Sequence, residues 1–266
     1  MGVVLSKKKL TSFQIIIIGF SSVILLGTLL LMLPISSRTG EFTSFADALF
    51  TSTSAVCVTG LIVFDTATYW SLFGQFVIML LIEIGGMGVI TVAASFAMIA
   101  GRKISLMQRS TMQEAIAAPK VGGIVRLTIF VIKATLMIEL LGAVAMSPVF
   151  CRDFGIKGLW MALFHSVSAF CNAGFDLMGV KSPFSSLTFY ADEPLINFPI
   201  MLLIIIGGIG FLTWDDIRAN RFHIHKYRMQ SKVIISTTAI LILVPALYFY
   251  FFEFSDLGLK ERIFSS

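Results

Sequence analysis

The chain has 266 residues, 57% of them hydrophobic and 13% charged, with a formal net charge of +5 and a mean hydropathy of +0.92. Too little polar surface is available to cover such a chain in water, so the composition excludes an ordinary soluble domain and predicts an integral membrane protein. The basic excess does not predict nucleic-acid binding, because the basic residues stand in short segments between apolar runs, as membrane topology produces.

Residues 1–12 carry Lys7-Lys8-Lys9, as a signal peptide would. The run Phe13–Leu33, however, would be about 30 Å long as a helix, enough to cross the hydrocarbon core. No small-residue cleavage pattern follows it, so a retained spanning helix ending at Pro34 is expected. Ser36–Glu41 reads as a loop. Phe45–Val56 is too short to cross. Thr43 or Ser44 is placed to cap it, and Asp47 falls in its first turn, where a carboxylate suits the helix dipole. With Val58-Thr59-Gly60 behind it, the segment 43–61 has the pattern of a re-entrant hairpin. A second span from Phe73 to Ala100, containing Glu83-Ile84-Gly85-Gly86-Met87-Gly88, completes a unit over 13–100.

A polar connector follows over 101–126. The third span, Leu127–Phe150, includes Lys133 and Glu139. A second short helix, Gly158–Phe170, lies within the segment 157–175 and leads into Asn172-Ala173-Gly174. After a loop with Pro183 and Pro194 comes the fourth span, Asn197–Trp214, with Ile206-Gly207-Gly208-Ile209-Gly210. That closes a second unit over 127–214. A charged connector, 215–232, precedes a fifth span, Val233–Phe252, which opens a third unit over 233–266.

The two units repeat one another. Phe50–Leu61 and Phe164–Phe175 share Phe, Ser, Ser, Ala, Cys and Gly at identical offsets, and Pro34 precedes Gly60 by the interval that separates Pro148 from Gly174. Such internal repetition outweighs any single motif. Basic residues gather at the N-terminus and in the two connectors, which the positive-inside rule assigns to the cytoplasm. Both short helices then enter from outside. Cys57, Cys151 and Cys171 lack metal-site spacing and read as small buried hydrophobes rather than a disulfide.

Irregular backbone at membrane depth leaves N–H and C=O groups without helix partners, costing several kcal/mol each unless protein or a water-filled cavity satisfies them. Doing so twice suggests a use for free carbonyls. A short helix aims its partial negative end inward, and successive carbonyls replace part of a cation's hydration shell. The plainer alternative is a hairpin that only packs between helices.

Thr53–Leu61, Ile82–Gly88 and Ser168–Phe175, in the order span, pore helix, glycine loop, span, resemble the Trk/Ktr/HKT superfamily of potassium transporters. They are most similar to the Ktr-type membrane subunit, and the similarity covers the whole chain. The resemblance implies an all-α polytopic membrane protein of repeated helix–pore-helix–filter-loop–helix units, as in potassium-channel-like transporters. It implies potassium uptake across the cell membrane, not enzymatic activity. Gly60 and Gly174 would be filter glycines, with Val58, Thr59, Asn172 and Ala173 also supplying backbone carbonyls to potassium. It further implies a homodimer, a cytoplasmic ring of nucleotide-binding regulatory subunits, no covalently bound cofactor, and scope for sodium stimulation. Four such units surround one pore in that family, so two glycine loops lead us to expect a partial sequence. Rival readings are a non-transporting fragment and an intramembrane enzyme using His165 or Glu83.

Among the remaining residues, Glu83 reads as a helix-packing carboxylate or an ion-path acid, and for Glu139 the two readings stand level. Lys133 reads as snorkelling. The Gly-Gly-x-Gly segments lack the Lys-Ser/Thr of a phosphate loop and read as close helix packing. His165 reads as a packing or hydrogen-bonding residue, and His223 and His225 as solvated.

Overall fold

The computed structural model describes residues 11–89, 91–94, 106–116, 123–221 and 223–253. Lys7–Lys9, residues 95–105 with Arg102 and Lys103, Pro119, Lys120, Gly122 and the Leu259–Ser266 stretch lie outside them.

Helix α1 (Ser12–Met32) starts from a reciprocal cap in which the Thr11 hydroxyl accepts the Gln14 N–H and the Gln14 side chain accepts the Thr11 N–H. It ends before Pro34, which opens a 3-10 turn. Helix α2 (Phe45–Val56) is capped by Ser44, which accepts from the Asp47 N–H. Asp65 starts a one-turn helix, Thr66–Tyr69. Helix α3 (Leu72–Met87) stops at Gly88, whose φ of 82° lies in the left-handed region that glycine enters freely. The second span is thus broken where the sequence predicts continuity, and the chain is helical again at 91–94.

The first connector contains a helix that the sequence does not signal, α4 (Leu106–Ile116). The Thr111 hydroxyl bonds to Ser12 at the start of α1, and Met112 joins Ile124 and Leu212 in a small second core. Helix α5 (Ile124–Phe154) exceeds the expected span at both ends and carries Pro148 inside it. Helix α6 (Lys157–Phe170) follows after Gly155. Helices α7 (Pro194–Gly208) and α8 (Phe211–Asn220) are bent by 93°. The fourth span therefore turns at Gly210 instead of running straight to Trp214, and the second connector begins as a helix. Gly210 has a φ of 79° and permits the corner. Helix α9 (Met229–Tyr248) continues into a π-helical turn, Phe249–Glu253.

The structure is all-α and polytopic. Among the described residues three helices are long and apolar enough to cross a membrane, and α7 with α8 makes a fourth if taken as one span. Lipid tails are as apolar as leucine, so helix association there rests on close packing and interhelical hydrogen bonds. Both halves use the same device. The Ser52 hydroxyl donates to the Ile24 carbonyl at 2.8 Å, and the Ser166 hydroxyl to the Glu139 carbonyl at 2.6 Å. A Cβ on Gly27 would come 2.5 Å from the Ser52 oxygen, and one on Gly142 would come 2.6 Å from the Ser166 oxygen. Glycine lets α2 approach α1, and α6 approach α5, closely enough for the bond. Outward faces carry Leu25, Leu29, Leu136, Leu140, Leu243 and Leu247, as contact with lipid requires.

At one end of the bundle Asp65 accepts from Ala67 N–H, Thr68 N–H and the Thr68 hydroxyl with one oxygen, and from the Phe184 N–H with the other. It thereby ties the loop before α3 to the loop before α7. Nearby, Arg152 pairs with Asp153 and Glu193, Lys181 pairs with Asp153, and the Tyr190 hydroxyl donates to Asp153.

Candidate functional site

The paired glycine loops follow directly from how α2 and α6 end. In each helix the last turn closes with the same three bonds. Cys57, Val58 and Thr59 N–H donate to the carbonyls of Thr53, Ala55 and Ser54; Cys171, Asn172 and Ala173 N–H donate to those of Val167, Ala169 and Ser168. The chain then leaves in an alternating conformation. Val58 and Asn172 have φ of 56° and 58°, and Gly60 and Gly174 have φ of 73° and 74°. For the β-branched Val58 this is a costly position. The same φ pattern recurs at identical offsets in the two loops, which makes it a built feature.

The two loops meet. A Cβ on Gly60 would stand 2.5 Å from the Ala173 carbonyl oxygen and 3.4 Å from the Gly174 Cα. Thr59, Asn172 and Gly174 are exposed, Val58 and Gly60 partly so, and Ala173 is buried. Among the described residues no hydrogen bond ends on the carbonyls of Val58, Thr59, Gly60, Asn172, Ala173 or Gly174. Side chains brace the loops from outside. The Thr59 hydroxyl bonds to the Ser54 hydroxyl at 2.9 Å, and the Ser168 hydroxyl donates to the Phe175 carbonyl at 2.6 Å.

The Gly-Gly-x-Gly segments lie behind the loops, with one job per glycine. A Cβ on Gly85 would collide with the Val56 carbonyl, and one on Gly207 with the Phe170 carbonyl. Both glycines seat a helix against the last residue of a short helix. Gly86 lies against Cys171, and Gly208 faces the Asn172 amide more loosely, at 3.8 Å. Gly88 and Gly210 break their helices. The sequence reading of close packing is right for Gly85, Gly86 and Gly207, but it misses the break at the third glycine of each set. A positive φ leaves no periodicity signal in one apolar run. A cavity of about 420 Å³ touches both segments, through Gly85, Gly86, Gly88, Ile209 and Gly210 among others.

His165 is buried, accepts the Leu177 N–H at Nε2 and bonds the Met161 carbonyl through Nδ1. It orders the chain just after the second loop, a hydrogen-bonding role. Lys133 lies on the exposed face of α5, and His223 and His225 are exposed. All three cysteines are free thiols, but Cys57 is exposed, contrary to the buried reading. It is the C-cap of α2, whereas its counterpart Cys171 lies against Gly86 of α3. Glu83 and Glu139 are far apart in sequence; the fold brings both to Cys171.

The family model for the TrkH cation transport protein matches residues 6–257. The chain is 43% identical over 261 residues to the potassium/sodium uptake protein NtpJ of Enterococcus hirae, covering 97% of this chain and 56% of that protein. It is 40% identical over 251 residues to the Ktr system potassium uptake protein B of Bacillus subtilis, covering 94% of this chain and 55% of the relative. Ktr system potassium uptake protein D of the same organism is 30% identical, covering 92% of this chain and 54% of the relative. The chain spans about half the length of these curated relatives. Since the matched region runs through both glycine loops and the helices that seat them, the chain belongs to the TrkH family of cation transport proteins.

Proposed function

We propose that this chain supplies part of the ion-translocating subunit of a Ktr/Trk-type potassium uptake system. Val58, Thr59, Gly60, Asn172, Ala173 and Gly174 present the backbone carbonyls that coordinate the ion. The carrying observation is the set of unbonded carbonyls on two adjoining loops whose φ values alternate alike. At membrane depth such carbonyls require a partner, and a dehydrating cation is one. The C-terminal ends of α2 and α6 point their partial negative charge at the same place. Two further loops would complete the ring, so the cation meets carbonyls from four sides and moves inward down its electrochemical gradient.

The names of the relatives support potassium as cargo, and that of the Enterococcus hirae protein supports a place for sodium. A multi-pass position in the cell membrane with the N-terminus in the cytoplasm agrees with the basic connectors. A homodimer and a ring of nucleotide-binding regulatory subunits beneath Arg218, Arg221, Lys226 and Arg228 complete the reading by family resemblance.

Uptake by the full-length protein in a potassium-requiring strain tests the filter. Gly60→Ser and Gly174→Ser should lower potassium uptake and raise the share of sodium carried, because a side chain at φ near 73° disturbs the carbonyls on both sides. Unchanged uptake and ion preference in both, with loss of function in His165→Ala, would remove the filter from these loops.

A further inference from the structure

Behind the second loop, side chains from three elements converge: Glu83 of α3, Glu139 of α5 and Cys171 at the end of α6. One donor atom from each lies within 4.8 Å of the others, and the Cys171 thiol donates to Glu83 Oε2 at 3.8 Å. Glu139 is 3% exposed. Its Oε1 and that of Glu83 are both buried without a hydrogen-bond partner. Two carboxyl groups side by side at membrane depth, each with an orphaned oxygen, are an expensive arrangement unless a proton or a cation sits between them.

Charge and donor chemistry narrow what that is. A divalent cation offsets two of the three negative charges that two carboxylates and a thiolate would carry. Magnesium and calcium take oxygen shells, whereas a thiolate favours zinc-like ions. Zinc sits about 2.3 Å from sulfur and about 2.0–2.2 Å from carboxylate oxygen, which places tetrahedral donors roughly 3.6 Å apart. The Cys171–Glu83 separation is already close to that, and Glu139 completes the set by a small side-chain adjustment. A Cβ on Gly86 would come 2.5 Å from the Cys171 sulfur, and Gly86 also lines the 420 Å³ cavity.

We propose that Glu83, Glu139 and Cys171 form a binding site for a zinc-like divalent cation. On binding, the ion would displace to water the thiol proton and the proton that the two carboxyl groups otherwise share, forming one metal–sulfur and two metal–oxygen bonds. Because Cys171 opens the second loop, an ion held there fixes the start of Asn172–Gly174. The first half supplies an internal control. Ile24 stands where Glu139 does, each offering its carbonyl to the equivalent serine, and among the described residues no comparable donor group forms around Cys57.

The full-length protein in detergent micelles, titrated with cadmium chloride as a zinc surrogate, tests the site without reference to transport. One cadmium ion per chain should be retained, with a thiolate-to-cadmium charge-transfer band that zinc suppresses. Cys171→Ser should abolish the band, Glu139→Gln should weaken binding at least about tenfold, and Cys57→Ser should leave both unchanged. If Glu139→Gln does not fold, maleimide labelling of Cys171 in a Cys57→Ser/Cys151→Ser background decides, with cadmium expected to slow it at least about tenfold. The site is overturned if no cadmium is retained, if the band survives Cys171→Ser but not Cys57→Ser, or if cadmium leaves the labelling rate unchanged. Each of those outcomes leaves the filter reading standing.

Discussion

At the scale of single residues, the Gly-Gly-x-Gly segments separate steric from conformational demand. Gly207 abuts the Phe170 carbonyl with no room for a methyl group, while a methyl carbon on its neighbour Gly208 would meet only the Asn172 amide, at 3.8 Å. Backbone against backbone cannot yield as a side chain does, so Gly207→Ala should destabilise by about 1–3 kcal/mol or more. Gly208→Ala should be neutral or stabilise by up to about 1 kcal/mol, the difference in helix propensity. Thermal unfolding of the two variants in detergent checks the contrast. Equal losses would mean that α7 does not seat on α6 through Gly207. Gly85, pressed against the Val56 carbonyl, should behave as Gly207 does.

At the scale of elements, the corner between α7 and α8 isolates the effect of φ. Nothing lies within 4 Å of a Cβ on Gly210, yet its φ is 79°. Gly210→Ala should therefore cost about 1–2 kcal/mol through backbone conformation alone. Gly210→Asn should cost less, because Asn tolerates the left-handed region. A spin-label distance across the bend should widen in the alanine variant; an unchanged distance and stability would place the hinge elsewhere. The same corner marks where the sequence stops being legible. Ser44 and Asp47 announce the start of α2, and Pro34 the end of α1, through local chemistry that one chain reveals. The repeat likewise singles out both loops. The breaks at Gly88 and Gly210, and α4 within a polar connector, are decided by what each segment packs against. Met112 is polar-flanked in sequence and buried only because Ile124 and Leu212 come to meet it. The convergence of Glu83, Glu139 and Cys171 joins three distant positions, so no local spacing could announce it.

At the scale of the whole molecule, two of the polar contacts between the halves hold them in register. Asp65 reaches across to the Phe184 N–H at 3.0 Å. Trp160 of α6 donates its indole N–H to Gln75 Oε1 of α3 at 2.9 Å, while the Gln75 amide donates to the Trp70 carbonyl at 3.2 Å. Gln75 is 5% exposed, so water cannot replace a lost partner. Trp160→Phe keeps an aromatic ring against Phe164 and Phe76 but orphans the Gln75 carbonyl oxygen, which should cost about 1–3 kcal/mol. Gln75→Met removes the orphan, and the Trp70 carbonyl retains a bond from Arg38 Nε at 3.3 Å. The double variant should then cost less than the two single variants together, with a coupling of about 0.5–3 kcal/mol. Additive losses would mean that the indole contributes packing alone and that the halves are aligned by Asp65. If the coupling is present and potassium uptake falls with it, the contact that sets Gly60 beside Ala173 lies in this tryptophan–glutamine bond as well as in the loops themselves.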